Sequence, residues 1–118
     1  MRCMRSCANT THGWSAPTEV YTVAWSYRIV AGCEGAFEAL YGAQGAWCRL
    51  FSRSPAYLGT QLLRDAGDPR AYVTLDRWRT RADYEAFLRD SREAYAQIDR
   101  AGDALTESET RLGSFGSE

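Results

Sequence analysis

The feature that most constrains this chain is a change of period in the middle of it. Tyr72-Val-Thr-Leu-Asp-Arg-Trp78 alternates with period two, and Arg-Thr80-Arg-Ala-Asp83-Tyr84-Glu-Ala-Phe87-Leu88 follows with helical spacing. In the first run Tyr72, Thr74, Asp76 and Trp78 share one face, and Val73, Leu75 and Arg77 the other. Both faces carry apolar bulk, so the run predicts a strand covered on two sides. Thr80 with Asp83 reads as a helix start, because a hydroxyl caps a free amide and an early acid suits the helix dipole. Tyr84, Phe87, Leu88 and Ser91 then fall on one stripe. A strand that turns straight into a helix brings Trp78 and Tyr84 to one corner, and a cavity is expected there.

The rest of the chain resolves around that unit. Val20 to Val30 alternates, with Val23, Trp25, Tyr27 and Ile29 on one face, and Gly32 ends it. From Glu34 to Tyr41, Phe37, Leu40 and Tyr41 make an amphipathic helix. After Gly42 and Gly45 a second helical piece carries Ala46, Trp47, Leu50 and Phe51 until Pro55 closes it. Tyr57 to Arg64 predicts a second strand, joined through the turn residues Asp65-Ala-Gly-Asp-Pro69 to the third, Tyr72 to Trp78, as a hairpin. The helix from Thr80 continues or restarts over Arg92 to Asp103, with Ala94, Tyr95, Ile98 and Leu105 inward. Glu109 to Phe115 is the last short strand, anchored by Leu112 and Phe115.

The order is β-α-β-β-α-β, an α+β, ferredoxin-like antiparallel sheet with helices on one face. Leu58, Leu62, Val73 and Leu75 are more than two helices can cover, so the other sheet face is expected to pair with a second copy, giving a two-fold homodimer as a dimeric α/β barrel.

Composition excludes several classes. The 118 residues suffice for one domain, divided here into a flexible leader, 1–18, and a folded domain, 19–118. A net charge of −1 gives no basic face for nucleic acid. All 14 basic residues are arginine, a bias that fits a high-GC bacterial genome better than a phosphate-binding surface. No apolar run reaches the roughly 18–20 residues of a membrane span, and the N-terminus has no signal-peptide core, so a cytoplasmic location is expected. Cys3, Cys7 and His12 match no common zinc spacing, and no metal is expected. Four cysteines suggest disulfides, but no secretion signal places them in an oxidising compartment, and Cys33 and Cys48 read as small apolar residues rather than a nucleophile and its partner.

Trp25-Ser-Tyr27, Phe37-Glu38, Tyr41-Gly42, Gly45-Ala-Trp47, Leu50-Phe51, Tyr57-Leu-Gly-Thr60, Leu63-Arg-Asp65, Tyr72, Asp76-Arg-Trp78, Tyr84 and Leu105-Thr106 together resemble the antibiotic biosynthesis monooxygenase domain family, over roughly Val20 to Phe115. The resemblance implies a pocket in each subunit between sheet and helices. It also implies cofactor-free oxidation of an electron-rich aromatic, an anthrone or phenol of polyketide type, whose anion passes an electron to O2. Neither flavin nor metal is then needed, and the protein supplies an apolar slot and hydrogen bonds to the anion. Family oxygenases carry an Asn and a Trp on the third strand and a Tyr in the next helix. Trp78 and Tyr84 match the Trp and Tyr, whereas Thr74 stands where the Asn is expected.

A haem-degrading branch uses an Asn, a Trp and a His at places held here by Trp25, Phe87 and Gln97 or Tyr95. With the single histidine in the leader, that chemistry has no ligand in the body of the chain. The candidate catalytic residues are therefore Trp78, Tyr84, Thr74 and Asp76, with Asp76 either a base or a salt-bridge partner of Arg28 or Arg77. Trp25, Tyr27, Tyr41, Trp47, Phe51, Tyr72, Phe87 and Tyr95 are the candidate substrate contacts, or equally a core. The competing readings are a non-catalytic dimeric binding or accessory module for an aromatic metabolite, and a cyclase or isomerase on the same scaffold.

Overall fold

A computed structural model describes residues 4–6 and 20–116. Five strands form one antiparallel sheet: β1 (Met4–Ser6), β2 (Tyr21–Ile29), β3 (Tyr57–Arg64), β4 (Ala71–Trp78) and β5 (Thr106–Gly116), in the order β1-β3-β4-β2-β5. The helices are α1 (Glu34–Tyr41), α2 (Ala46–Phe51), α3 (Arg81–Asp90) and α4 (Arg92–Asp103). Leaving β1 aside, the elements give the expected β-α-β-β-α-β arrangement, with each helical pair linking two strands of the sheet. Three residues of the expected leader, Met4–Ser6, pair with Leu63–Gln61 of β3. The remaining leader, with Cys3, Cys7, His12 and Trp14, lies outside the described residues.

The period change at Trp78 is where β4 ends. Thr80 caps α3, its Oγ1 accepting from the Asp83 amide at 3.0 Å, and Asp83 lies in the first turn. Between β2 and α1, Gly32 takes φ +89°, a conformation that L side chains resist, and turns the chain back over the sheet. Of the two courses open after Thr80, the helix restarts: Ser91 separates α3 from α4, which begins at the expected Arg92.

Register assigns the faces. Tyr21, Val23, Trp25 and Tyr27 of β2 lie opposite Trp78, Asp76, Thr74 and Tyr72 of β4, and Thr60 and Leu62 of β3 lie opposite Asp76 and Thr74. These side chains form the face beneath the helices, because Tyr27 and Tyr72 both meet Phe37 of α1, with ring centroids 5.2 and 4.7 Å apart. The core is aromatic: Phe37, Tyr41, Trp47, Phe51, Tyr57, Tyr72, Trp78 and Phe87 are all buried.

Four expectations change here. Leu62, expected on the outer face, is buried under the helices, because a register shift between Tyr57 and Gly59 resets the alternation of β3. Leu112 and Phe115 anchor nothing within the subunit and are 52% and 56% exposed. The last strand starts at Thr106, three residues before the expected Glu109, and a second shift between Ala24 and Trp25 throws Leu112 out of the β2–β5 ladder. Cys48 is buried and disulfide-bonded, its partner lying outside the described residues, whereas Cys33 is a free, half-buried thiol.

Phe37 is fully buried and stacks on Tyr41 at 4.1 Å. Phe37→Ala is expected to cost ~3–5 kcal/mol, read as a lower urea midpoint with an unchanged m-value. Thr80→Ala removes only the α3 cap and is expected to cost about 1 kcal/mol in the same measurement.

Candidate active site

A cavity of about 420 Å³, counting its open mouth, lies between the sheet and the helices. Its wall is built from Trp25 and Tyr27 of β2, Thr74 and Asp76 of β4, Thr60 of β3, Tyr41 of α1, Trp47 and Phe51 of α2, Tyr95 and Asp99 of α4, and Glu109 of β5. Eight of the expected site residues therefore meet on one hollow: Trp25, Tyr27, Tyr41, Trp47, Phe51, Thr74, Asp76 and Tyr95. Most of that volume is the open mouth; the enclosed part is small, about 40 Å³, and its walls are mostly aromatic faces.

The other four candidates lie elsewhere. Trp78 is fully buried and ringed by Phe51, Tyr57, Tyr84 and Phe87 at centroid distances of 5.4, 5.2, 5.5 and 5.0 Å. The corner where it meets Tyr84 is filled by these edge-on and tilted rings, and the cavity opens farther along the β4 face. Phe87 belongs to the same packed group. Tyr72 donates to Glu38 Oε2 at 2.6 Å and closes the core near α1.

Asp76 is the polar centre. Its Oδ1 accepts from Thr60 Oγ1 at 2.6 Å, and Thr60 Oγ1 lies 2.5 Å from the Tyr57 hydroxyl. Among the described residues Asp76 forms no ion pair. Arg28, one expected partner, is held by Asp68 at 2.6 Å, and Arg77 donates to Gln61 Oε1 at 2.8 Å. The reason is parity: Arg28 and Arg77 belong to the outer face, and Asp76 faces the helices. Desolvation, opposed by the Thr60 hydrogen bond and the charge of Arg77, raises its carboxyl to about 6. The residue as a whole is half-buried and lines the cavity, while its carboxyl is desolvated, and the shift makes that carboxylate basic for its kind.

The neighbouring phenols respond to the same environment. Burial first, and then the charge of Asp76, pushes Tyr27 well above the usual phenol range, while its 2.9 Å hydrogen bond with Thr74 Oγ1 opposes the rise. Tyr84 is raised by burial and then by Asp76, so neither phenol serves as a base near neutrality. Asp99 and Glu109 are also raised, mainly by burial and then by like charge, since Asp99, Asp103 and Glu109 bring their oxygens within 4.8 Å of one another. Thr60, Asp99 and Glu109 were not singled out from sequence. For Thr60 the available signal was its position opposite Asp76 in the hairpin. Asp99 and Glu109 carry no local signature, because packing of α4 against β5 brings them together.

Among the described residues, the charged ones on the wall are acids, and no arginine lines it. An anionic ligand meets repulsion there, and a neutral aromatic does not.

The architecture defines a ferredoxin-like α+β domain with an aromatic-walled hollow between sheet and helices. Within that class, the family model for antibiotic biosynthesis monooxygenase matches residues 20–97, and the chain belongs to that family. Among solved structures it is similar to SnoaB, a cofactor-independent oxygenase from Streptomyces nogalater, at 22% identity and TM-score 0.68, over 85% of this chain and 93% of that one. A putative antibiotic biosynthesis monooxygenase from Bordetella bronchiseptica is similar at 20% identity and TM-score 0.65, over 86% and 97% of the two chains. A third, from Chloroflexus aurantiacus, matches at 18% identity and TM-score 0.60, over 83% and 90%. No curated protein matches the chain. Among the described residues no helix is long and apolar enough to cross a membrane.

The raised carboxyl has a consequence for stability. Asp76 binds a proton more tightly folded than unfolded, so its contribution is fully present below pH ~4 and is lost as pH rises through about 6. Asp76→Asn is therefore expected to flatten the stability profile between those limits, by up to ~3 kcal/mol relative to wild type at pH 8. Urea melts of both proteins at stepped pH check this.

Proposed function

We propose that the protein is a cofactor-independent monooxygenase acting on a neutral, electron-rich aromatic of phenol or anthrone type. The observation that carries the reading is Asp76: a carboxyl raised to about 6, without an ion-pair partner among the described residues, at the edge of an aromatic cavity. Such a group is matched to proton abstraction near neutral pH. The substrate ring lies in the open mouth against Trp25, Tyr27 and the packed pair Trp47 and Tyr95, and its acidic C–H or O–H faces Asp76. The proton passes to the carboxylate, and the electron pair stays on the substrate. The resulting anion gives an electron to O2. For an anthrone-type CH2 one oxygen atom ends as the new carbonyl and the other leaves as water. Trp78 and Tyr84 act behind the wall, holding α3 against β4.

A specific observation favours a second reading. The hydroxyl of Thr74, which stands where the family oxygenases carry an amide, is already engaged with Tyr27 at 2.9 Å. Proton transfer alone, as in a cyclisation or isomerisation, needs Asp76 and not that donor.

We also propose that the outer sheet face pairs with a second copy. Val73 and Leu75 of β4 and Leu63 of β3 lie there only half-buried, and Phe115, opposite Thr22, stands exposed on the same face.

Oxygen uptake with a panel of anthrones and hydroxynaphthalenes tests the first reading. Turnover is expected to survive metal chelation and to fall by roughly 10²–10⁴ in Asp76→Asn. Turnover without O2 would replace it with the second, and binding without turnover would leave a carrier module. Sedimentation of Leu75→Arg beside wild type is expected to show a dimer only in the latter.

A further inference from the structure

The Asp76 carboxylate does not stand alone. We infer that Tyr57 and Thr60 form a hydrogen-bond relay that fixes Asp76 with Oδ1 turned into β3 and Oδ2 presented to the cavity, making them positioning residues for the proton transfer. This rests on the reading of Asp76 as the base.

The geometry orders the donors. Thr60 has one hydroxyl hydrogen, and it goes to Asp76 Oδ1 at 2.6 Å. Thr60 Oγ1 must then accept from Tyr57, whose hydroxyl lies 2.5 Å away. All three residues lie on the helix-facing side of the β3–β4 hairpin, and Thr60 is directly opposite Asp76 in the register. Tyr57 and Thr60 are themselves 8% and 5% exposed, so the relay is anchored in the packed core at Tyr57 and reaches the cavity wall at Thr60 and Asp76. No hydrogen bond joins Oδ2 to a described residue, and Asp76 lines the cavity. Oδ2 is the oxygen left to take a substrate proton.

A carboxylate that accepts a hydrogen bond in its charged form is held as an anion against the desolvation that opposes it. Thr60 thus sets how strong a base Asp76 is, and Tyr57 polarises Thr60. The other titratable groups around Asp76 are the phenols of Tyr27 on β2, Tyr84 on α3 and Tyr95 on α4, all neutral near pH 7, with Arg77 beside it in β4. None replaces the Thr60 donor.

The test reads Asp76 directly, by carboxyl 13C NMR of the full chain without any substrate. In Thr60→Val the Asp76 midpoint is expected to rise by about one unit, the size of one lost charge-assisted hydrogen bond. Thr60→Ser is expected to restore it to near the wild-type value, and Tyr57→Phe to raise it by less than Thr60→Val. An Asp76 midpoint unchanged in Thr60→Val and in Tyr57→Phe overturns the relay. If the midpoints move as expected but wild type turns over no aromatic, the oxygenase reading fails and the relay stands. With an active substrate, Thr60→Val is expected to lower kcat with KM little changed and to move the acidic limb of the pH profile upward, and Thr60→Ser to recover both. A loss confined to KM, with that limb unmoved, would assign Thr60 to substrate contact instead and overturn the relay.

Discussion

Aromatic rings fill the space between the sheet and the helices, and the architecture depends on how they meet. Around Trp78 the neighbouring rings of Phe51 and Tyr84 approach edge-on, an arrangement suited to the ring quadrupole. Rings are rigid, so a layer of them fills corners completely or leaves a defined gap. At the Trp78 end the layer closes. Toward Trp25 and Tyr95 the rings draw apart and the cavity opens, bordered by the polar groups of Thr60, Thr74 and Asp76. Packed core and binding site are two ends of the same aromatic layer.

Charge is distributed by the same parity rule. Each β-strand sends alternate side chains to opposite faces, so Arg77 is kept from its neighbour Asp76, while Arg28 lies opposite Ala71 at the other end of β4. On the outer face Arg28 is paired to Asp68. On the inner face Asp76 has no ion-pair partner among the described residues. A buried acid without a partner is costly, and its persistence beside an open cavity is the kind of local inconsistency expected where stability has been exchanged for chemistry.

Much of this was legible in the sequence. Alternation in Tyr72–Trp78 and the Thr80/Asp83 start gave a strand, a cap and a helix at their observed places, because each signal is local and strong. The same alternation placed Thr74 and Asp76 on one face, and that face is the cavity wall. The errors came where local pattern does not carry the information. A bulge at Leu58 reversed the parity expected for Leu62, and bulges leave no mark in an alternating apolar run. Leu112 and Phe115 were expected inside because they are large and apolar, yet the edge position of β5 leaves them uncovered. The cavity was expected at the strand–helix corner, but ring packing is a property of the whole layer, and there Phe51 and Phe87 arrive from distant helices to fill the gap.

The position of β5 carries one more consequence. It is an eleven-residue strand bonded to β2 on one side, and among the described residues no strand pairs with its far edge. A flat edge of that length invites another chain to add to it and grow a fibre. Two irregularities in the β2–β5 ladder, with Glu107 and Arg111 along the strand, bend and charge that border. The kinks that confuse a reader of the sequence thus also deter stacking into aggregates, at the side of the molecule farthest from β1.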